Sequence, residues 1–171
     1  MKKIEMIGKH QSDVIKKCND PNFIAERTSM LKYPDLLFTS EFQLQLINKL
    51  YLDEIFEYKN EMLREIDKKI KSYIKQDINK NKFTDDNISK ELAIEKLVSC
   101  KLKCFYCNNE MKIFYKNVRE KTQWTLDRID NSISHTCDNV VVSCLKCNLE
   151  RRCQDKNKFY FSKHLKIVKN D

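Results

Sequence analysis

The chain has 171 residues and a formal net charge of +8, with 34% charged and 41% hydrophobic residues. That is room for one compact domain, or a small domain with a helical extension, and nine Phe, seven Tyr and one Trp need a core to bury them. One Gly and two Pro exclude a glycine-rich phosphate loop or dinucleotide fingerprint and argue against an all-β architecture full of tight turns.

Residues 1–33 read as irregular or weakly helical, ended at Tyr33-Pro34, because the residue before a proline is steered away from helical dihedrals. Ser40, with Gln43 three positions on, makes a capping-box pattern, and a helical run is expected from about residue 41 to 79. Within it Leu63, Ile66, Ile70 and Tyr73 recur at helical spacing as one apolar face. Glu65–Lys69 and Asp67–Lys71 are i,i+4 pairs suited to the exposed side. Asn79-Lys80-Asn81-Lys82 is a polar connector, after which Thr84 caps a second helix through about Val98. Residues 111–115, 124–129 and 139–143 read as short strands, with Asp130-Asn131-Ser132 as turn material. Residues 148–152 read as helical, and a last helix is expected over 158–168. The fold class is therefore α+β, a mainly helical N-terminal region, 1–98, ahead of a distinct region, 99–171.

No apolar run approaches the roughly 20 residues that cross a bilayer. The N-terminal stretch MKKIEMIGKHQSD has no continuous hydrophobic segment, so the expectation is a soluble, intracellular chain (cytoplasm or nucleus) with no membrane partner. Charge is uneven. Residues 1–99 carry 18 Lys/Arg against 17 Asp/Glu, whereas residues 100–171 carry 15 against 8. The excess in the second part suits an acidic partner such as nucleic acid, although a Lys-rich surface also serves solubility alone.

Seven of the eight cysteines follow residue 99, and four of them form two CxxC pairs, Cys104/Cys107 and Cys144/Cys147. With no export signal this pattern reads as a structural four-cysteine zinc site, since each CxxC turn presents two thiolates to one tetrahedral ion. The 36 residues between the pairs leave room for two strands. Cys100, Cys137 and Cys153, with His135 or His164, are an irregular second set, read by default as free thiols.

The stretch from 124 to 152, WTLDRIDNSISHTCDNVVVSCLKCNLERR, resembles the HNH, or ββα-metal, nucleases, in particular the zinc-stapled kind with CxxC knuckles flanking the hairpin. The matching elements are the first knuckle with Tyr106, Asp127, Asn139, the second knuckle and Asn148, over about 50 residues from Cys104 to Arg152. The resemblance implies a zinc-bound ββα-metal nuclease domain in residues 99–171 that hydrolyses phosphodiester bonds in DNA, with RNA left open as substrate. It implies that Asp127 and Asn148 ligate one catalytic Mg²⁺ or Mn²⁺, a hard ion suited to a carboxylate and an amide oxygen. The position after the Asp, normally a histidine general base, holds Arg128, whose guanidinium cannot accept a proton at neutral pH but can hold a phosphate. Certain restriction endonucleases of the family share this Asp-Arg pair. The base is then left between Tyr106 and His135, each also explicable by packing. Asn139 is expected to brace the hairpin loop, and Lys146, Arg151 and Arg152 to face phosphates. The alternative is a non-catalytic, zinc-stabilised nucleic-acid-binding module. The N-terminal helices are candidates for a homodimer contact.

Overall fold

The computed structural model describes residues 8–20 and 22–165. Among these are six α-helices and one two-stranded antiparallel sheet, an α+β chain. In order they are α1 (Lys9–Asn19), α2 (Ser40–Tyr51), α3 (Lys59–Asn79), α4 (Lys90–Ser99), β1 (Trp124–Arg128), β2 (Val140–Cys144), α5 (Leu145–Arg151) and α6 (Lys156–His164), with 3-10 turns at Thr28–Met30 and Asp35–Phe38. No helix among the described residues is long and apolar enough to cross a membrane.

The helical run expected over 41–79 is two helices. Asp53 takes a left-handed φ of 55°, the Asp53 N–H donates to Leu50 O at 3.2 Å and the Glu54 N–H to Lys49 O at 2.9 Å. This is the Schellman closure that normally recruits glycine, made with an aspartate that tolerates the conformation. The capping box is also replaced. Gln43 is fully buried, its Nε2 donates to Leu37 O and Phe114 O, and its Oε1 accepts from the Ile113 and Phe114 N–H groups. Those last two donors explain why 111–115 is not a strand: a glutamine from α2 takes the bonds that a neighbouring strand would have used. Thr84 does not cap α4 either. Ser89 does, accepting from the Leu92 N–H at 3.2 Å, while Thr84 bonds Asn87 and Ser134.

Of the apolar stripe expected on α3, Ile66 and Ile70 are buried and Leu63 and Tyr73 are half-buried against the core, with Met62 buried beside them. Of the two surface pairs Asp67–Lys71 forms at 2.6 Å. Glu65 instead pairs with Arg27 at 2.7 Å, and Lys69 turns to the Gln123 side chain and the Trp124 carbonyl. Burial pushes Lys69 down to about 7, with the Arg27 charge adding to it.

One buried apolar cluster takes residues from both sides of the expected 98/99 boundary, from Met30, Ile47, Met62 and Leu97 to Tyr106, Trp124, Val142 and Phe159. Polar links cross the same line. The Leu126 N–H donates to Tyr73 Oη at 3.0 Å, and the Ile88 N–H to His135 O at 2.7 Å. The sheet is a hairpin in the register Trp124↔Cys144 through Arg128↔Val140. α5 begins directly after β2 and packs on both strands, giving a strand, loop, strand, helix order. The last helix starts two residues earlier than expected and runs to His164, while the stretch 166–168 of that expectation lies outside the described residues.

Candidate functional site

The two knuckles meet. The Sγ atoms of Cys104, Cys107, Cys144 and Cys147 all lie within 4.8 Å of one another, and Cys107 and Cys144 are 3.9 Å apart. A zinc ion with Zn–S bonds of about 2.3 Å needs tetrahedral sulfur separations of about 3.8 Å, so the cluster fits that ion. Backbone N–H groups already point at the sulfurs, Cys144 N to Cys104 Sγ at 3.2 Å and Cys147 N to Cys144 Sγ at 3.4 Å. The first knuckle turns through a left-handed Asn108 and docks on β2 through the Phe105 N–H, which donates to Val142 O. Cys144 ends β2 and caps α5, so the cluster fixes hairpin to helix at one corner. The corner can hold a structural metal such as zinc, and four thiolate ligands would leave no open position for chemistry. Among the described residues the remaining cysteines stay outside any such cluster. The Cys100 thiol donates to Leu97 O, and Cys153 is exposed.

Strand alternation divides the Asp127-Arg128 pair between two faces of β1. Toward α5, Asp127 is buried and meets a guanidinium. Arg151 Nε donates to Asp127 Oδ2 at 2.5 Å and Nη2 to Oδ1 at 2.7 Å, and the Tyr106 phenol donates to Oδ2 at 2.7 Å. Arg151 is itself buried, and its remaining donors reach Gln154 O at 2.7 Å and Arg128 O at 2.5 Å. Burial pushes the Tyr106 phenol above its ordinary range, and the hydrogen bond to the Asp127 carboxylate adds to this. The same carboxylate holds Arg151 protonated more firmly still. Asn148, one turn earlier on α5, donates from Nδ2 to Thr125 Oγ1 at 3.0 Å and to Leu126 O.

Toward α3, Arg128 meets Asp77, Nη1 to Oδ1 at 3.5 Å, and donates to Ile133 O at 3.2 Å. The same fully buried Asp77 accepts from the His135 backbone N–H at 2.9 Å, from Asn87 Nδ2 at 2.9 Å, and lies 2.8 Å from His135 Nδ1. The His135 ring stacks on Tyr73 with centroids 4.7 Å apart. Burial pulls the imidazole below 6.5, and the Asp77 carboxylate only partly opposes that. Burial alone would raise Asp77, but the His135 and Asn87 hydrogen bonds more than offset it and its carboxyl sits below 3.8.

The structure thus brings together Tyr106, Asp127 and Arg151, with Asn148 on the same helix, and places Arg128 and His135 in a second cluster across the strand. Asn139 belongs to neither. Its side chain accepts from the Asp130 N–H and donates to the Asp130 and Ser134 carbonyls, each at 2.9 Å, so it braces the hairpin loop. Lys146 and Arg152 are exposed at the two ends of α5, whereas Arg151, expected beside them facing phosphates, is turned inward by Asp127. Sequence reasoning missed Asp77, although a signal existed. It falls four residues after Tyr73 on the inward stripe of α3, where an unpaired carboxylate would be costly to bury.

Asp127 and Asn148 are right in kind for a hard divalent ion, but as arranged they do not fit one. Both carboxylate oxygens are taken by the guanidinium and the phenol, and Asn148 turns its amide nitrogen to β1. No family model, no curated protein and no solved structure matches the chain.

Proposed function

We propose that this chain is a DNA endonuclease that hydrolyses phosphodiester bonds at the α5 face of its zinc-stapled hairpin, and that it requires Mg²⁺ or Mn²⁺. The observation that carries the reading is the convergence of Tyr106 from the first knuckle, Asp127 from β1 and Arg151 from α5 on one carboxylate. Of these groups the guanidinium can neutralise a phosphodiester and the phenol can donate a hydrogen bond to it, and the carboxylate holds both in place. The motif order from 104 to 152 supports the same reading, as does the excess of Lys/Arg in residues 100–171, 15 against 8 acidic.

A second reading, a zinc-stabilised nucleic-acid-binding module without catalysis, is favoured by one feature. The Asp127 carboxylate is already neutralised by Arg151 inside the fold, as a purely structural ion pair would be. Plasmid cleavage separates the two. Zinc-loaded protein with Mg²⁺ or Mn²⁺ should nick or linearise supercoiled DNA, and EDTA or Asp127→Ala should abolish this. Intact DNA binding with no cleavage of supercoiled, relaxed, branched or single-stranded DNA would leave the binding module as the function.

A further inference from the structure

From an aromatic ladder on the outer side of α6, and resting on DNA as the partner in the reading above, we infer that this chain holds unpaired bases of single-stranded DNA by stacking them on Phe105, Tyr160 and His164. Lys156, Tyr160 and His164 stand four residues apart along α6 and so share one face of the helix. The Tyr160 and His164 rings lie 4.3 Å apart between centroids, tilted by 31°, and Phe105 of the first knuckle meets Tyr160 at 5.3 Å. Lys156 Nζ lies over the Phe105 ring, 5.7 Å from its centroid, and closes the row with a cation. These rings are not core. Phe105 and Tyr160 are 39% and 42% exposed and His164 is exposed, whereas Phe159 of the same helix is buried against Tyr106.

Charge and shape together select the occupant. Residues 153–171 carry five Lys against two Asp, which suits a chain of phosphates. Lys163 is spent on Glu150, which ties α6 to α5, while Lys156 stands at the ladder itself. Every base has a π-face, so a row of exposed rings edged by cations accepts a strand with little regard to its sequence. A duplex hides those faces in its own stack, so the ladder engages only unpaired nucleotides. It also abuts the candidate site. Phe105 meets Tyr106 edge-on with centroids 5.1 Å apart, and the Tyr106 phenol donates to Asp127. A strand stacked here lies beside the Tyr106, Asp127 and Arg151 set, and the favoured substrate is DNA with an unpaired strand rather than a blunt duplex.

The test is fluorescence anisotropy of the zinc-loaded full chain with a short labelled oligothymidylate and, in parallel, a blunt duplex of the same length, without added divalent ion. Tyr160→Leu keeps apolar surface but removes the ring, and should weaken single-strand binding by about tenfold while leaving duplex binding unchanged. Tyr160→Phe keeps the ring and should stay within about twofold of wild type on both. Phe105→Leu should follow Tyr160→Leu; zinc content checks its knuckle, and if it loses zinc the Tyr160 pair still decides. Single-strand affinity unchanged in Tyr160→Leu overturns the ladder. So does a loss shared equally by the duplex, a loss as large in Tyr160→Phe as in Tyr160→Leu, or no single-strand binding by the wild type. Plasmid cleavage separates this from the parent reading: Tyr160-dependent strand binding with uncut DNA sinks the endonuclease, whereas metal-dependent cutting with Tyr160-independent strand binding sinks only the ladder.

Discussion

Replacing Gln43 with alanine removes one side chain from α2 and should loosen the hairpin, which lies mostly more than eighty residues further on. The amide makes four hydrogen bonds, all to backbone, with Leu37 O at 2.8 Å, Phe114 O at 3.0 Å, Ile113 N at 2.7 Å and Phe114 N at 3.0 Å. At about 1 kcal/mol net for each, the loss is about 4 kcal/mol. The site is closed and Gln43 has no exposed surface, so the four backbone groups lose their direct partners inside the fold. Against a typical domain stability of about 5–15 kcal/mol that is a large fraction. Urea unfolding of zinc-loaded protein reads it in two ways, by helical circular dichroism and by the fluorescence of Trp124, the one tryptophan, buried at the start of β1. Both transitions should move together to lower urea. A shift worth less than about 1 kcal/mol would refute the count of bonds. A helical transition that moves while the Trp124 signal stays would refute the shared core.

Removing zinc with a strong chelator should release the hairpin corner, because four thiols packed within 4.8 Å lose the cation that holds them; Trp124 fluorescence should show the loss and zinc should restore it, and an unchanged spectrum with zero bound metal would rule out a structural ion. Acidification should weaken the α3 junction. Asp77 lies below 3.8 in the folded chain, so its contribution is complete above the unfolded value and is lost as pH falls through the folded one, while His135, held below 6.5, begins to cost stability once the unfolded chain can protonate it. His135→Asn, which keeps a donor for Asp77, should therefore lose less stability than the wild type between pH 7 and pH 5, and equal losses would contradict the assignment. Lys146→Ala and Arg152→Ala should each weaken DNA binding uniformly across sequences and make its salt dependence shallower by about one unit of the log–log slope. Unchanged slopes would place the DNA elsewhere. Light scattering addresses a homodimer through the N-terminal region, where Leu52 and Ile55 in the connection between α2 and α3 are 66% and 98% exposed; a dimer dissociated by Ile55→Lys is the expected outcome, and a monomer at high concentration removes the contact.

The four-cysteine corner was legible because CxxC spacing fixes two ligands locally and one tetrahedral ion needs two such pairs. The strands at Trp124 and Val140 and the inward stripe of α3 were legible for a similar reason, since β-branched runs and three-to-four-residue spacing are local signals. What failed was closed by side chains from far away in the chain. Asp53 ends α2 without a glycine to announce it, and Gln43 reads as a capping residue until Ile113 and Phe114 are brought against it. The division of Asp127 from Arg128 follows from strand alternation once the strand is known. Which helix answers each of them does not, because Asp77 and Arg151 reach β1 only through tertiary packing.

The most direct measurement compares the initial rate of metal-dependent plasmid nicking by Tyr106→Phe and by His135→Asn with that of the wild type. The phenol lies on the α5 face with Asp127, and the imidazole lies on the α3 face with Asp77. Tyr106→Phe should lose nicking by about a hundredfold or more, while His135→Asn should stay within a fewfold of wild type. Wild-type nicking by Tyr106→Phe, together with its abolition in His135→Asn, would move the chemistry to the other side of β1 and contradict the account.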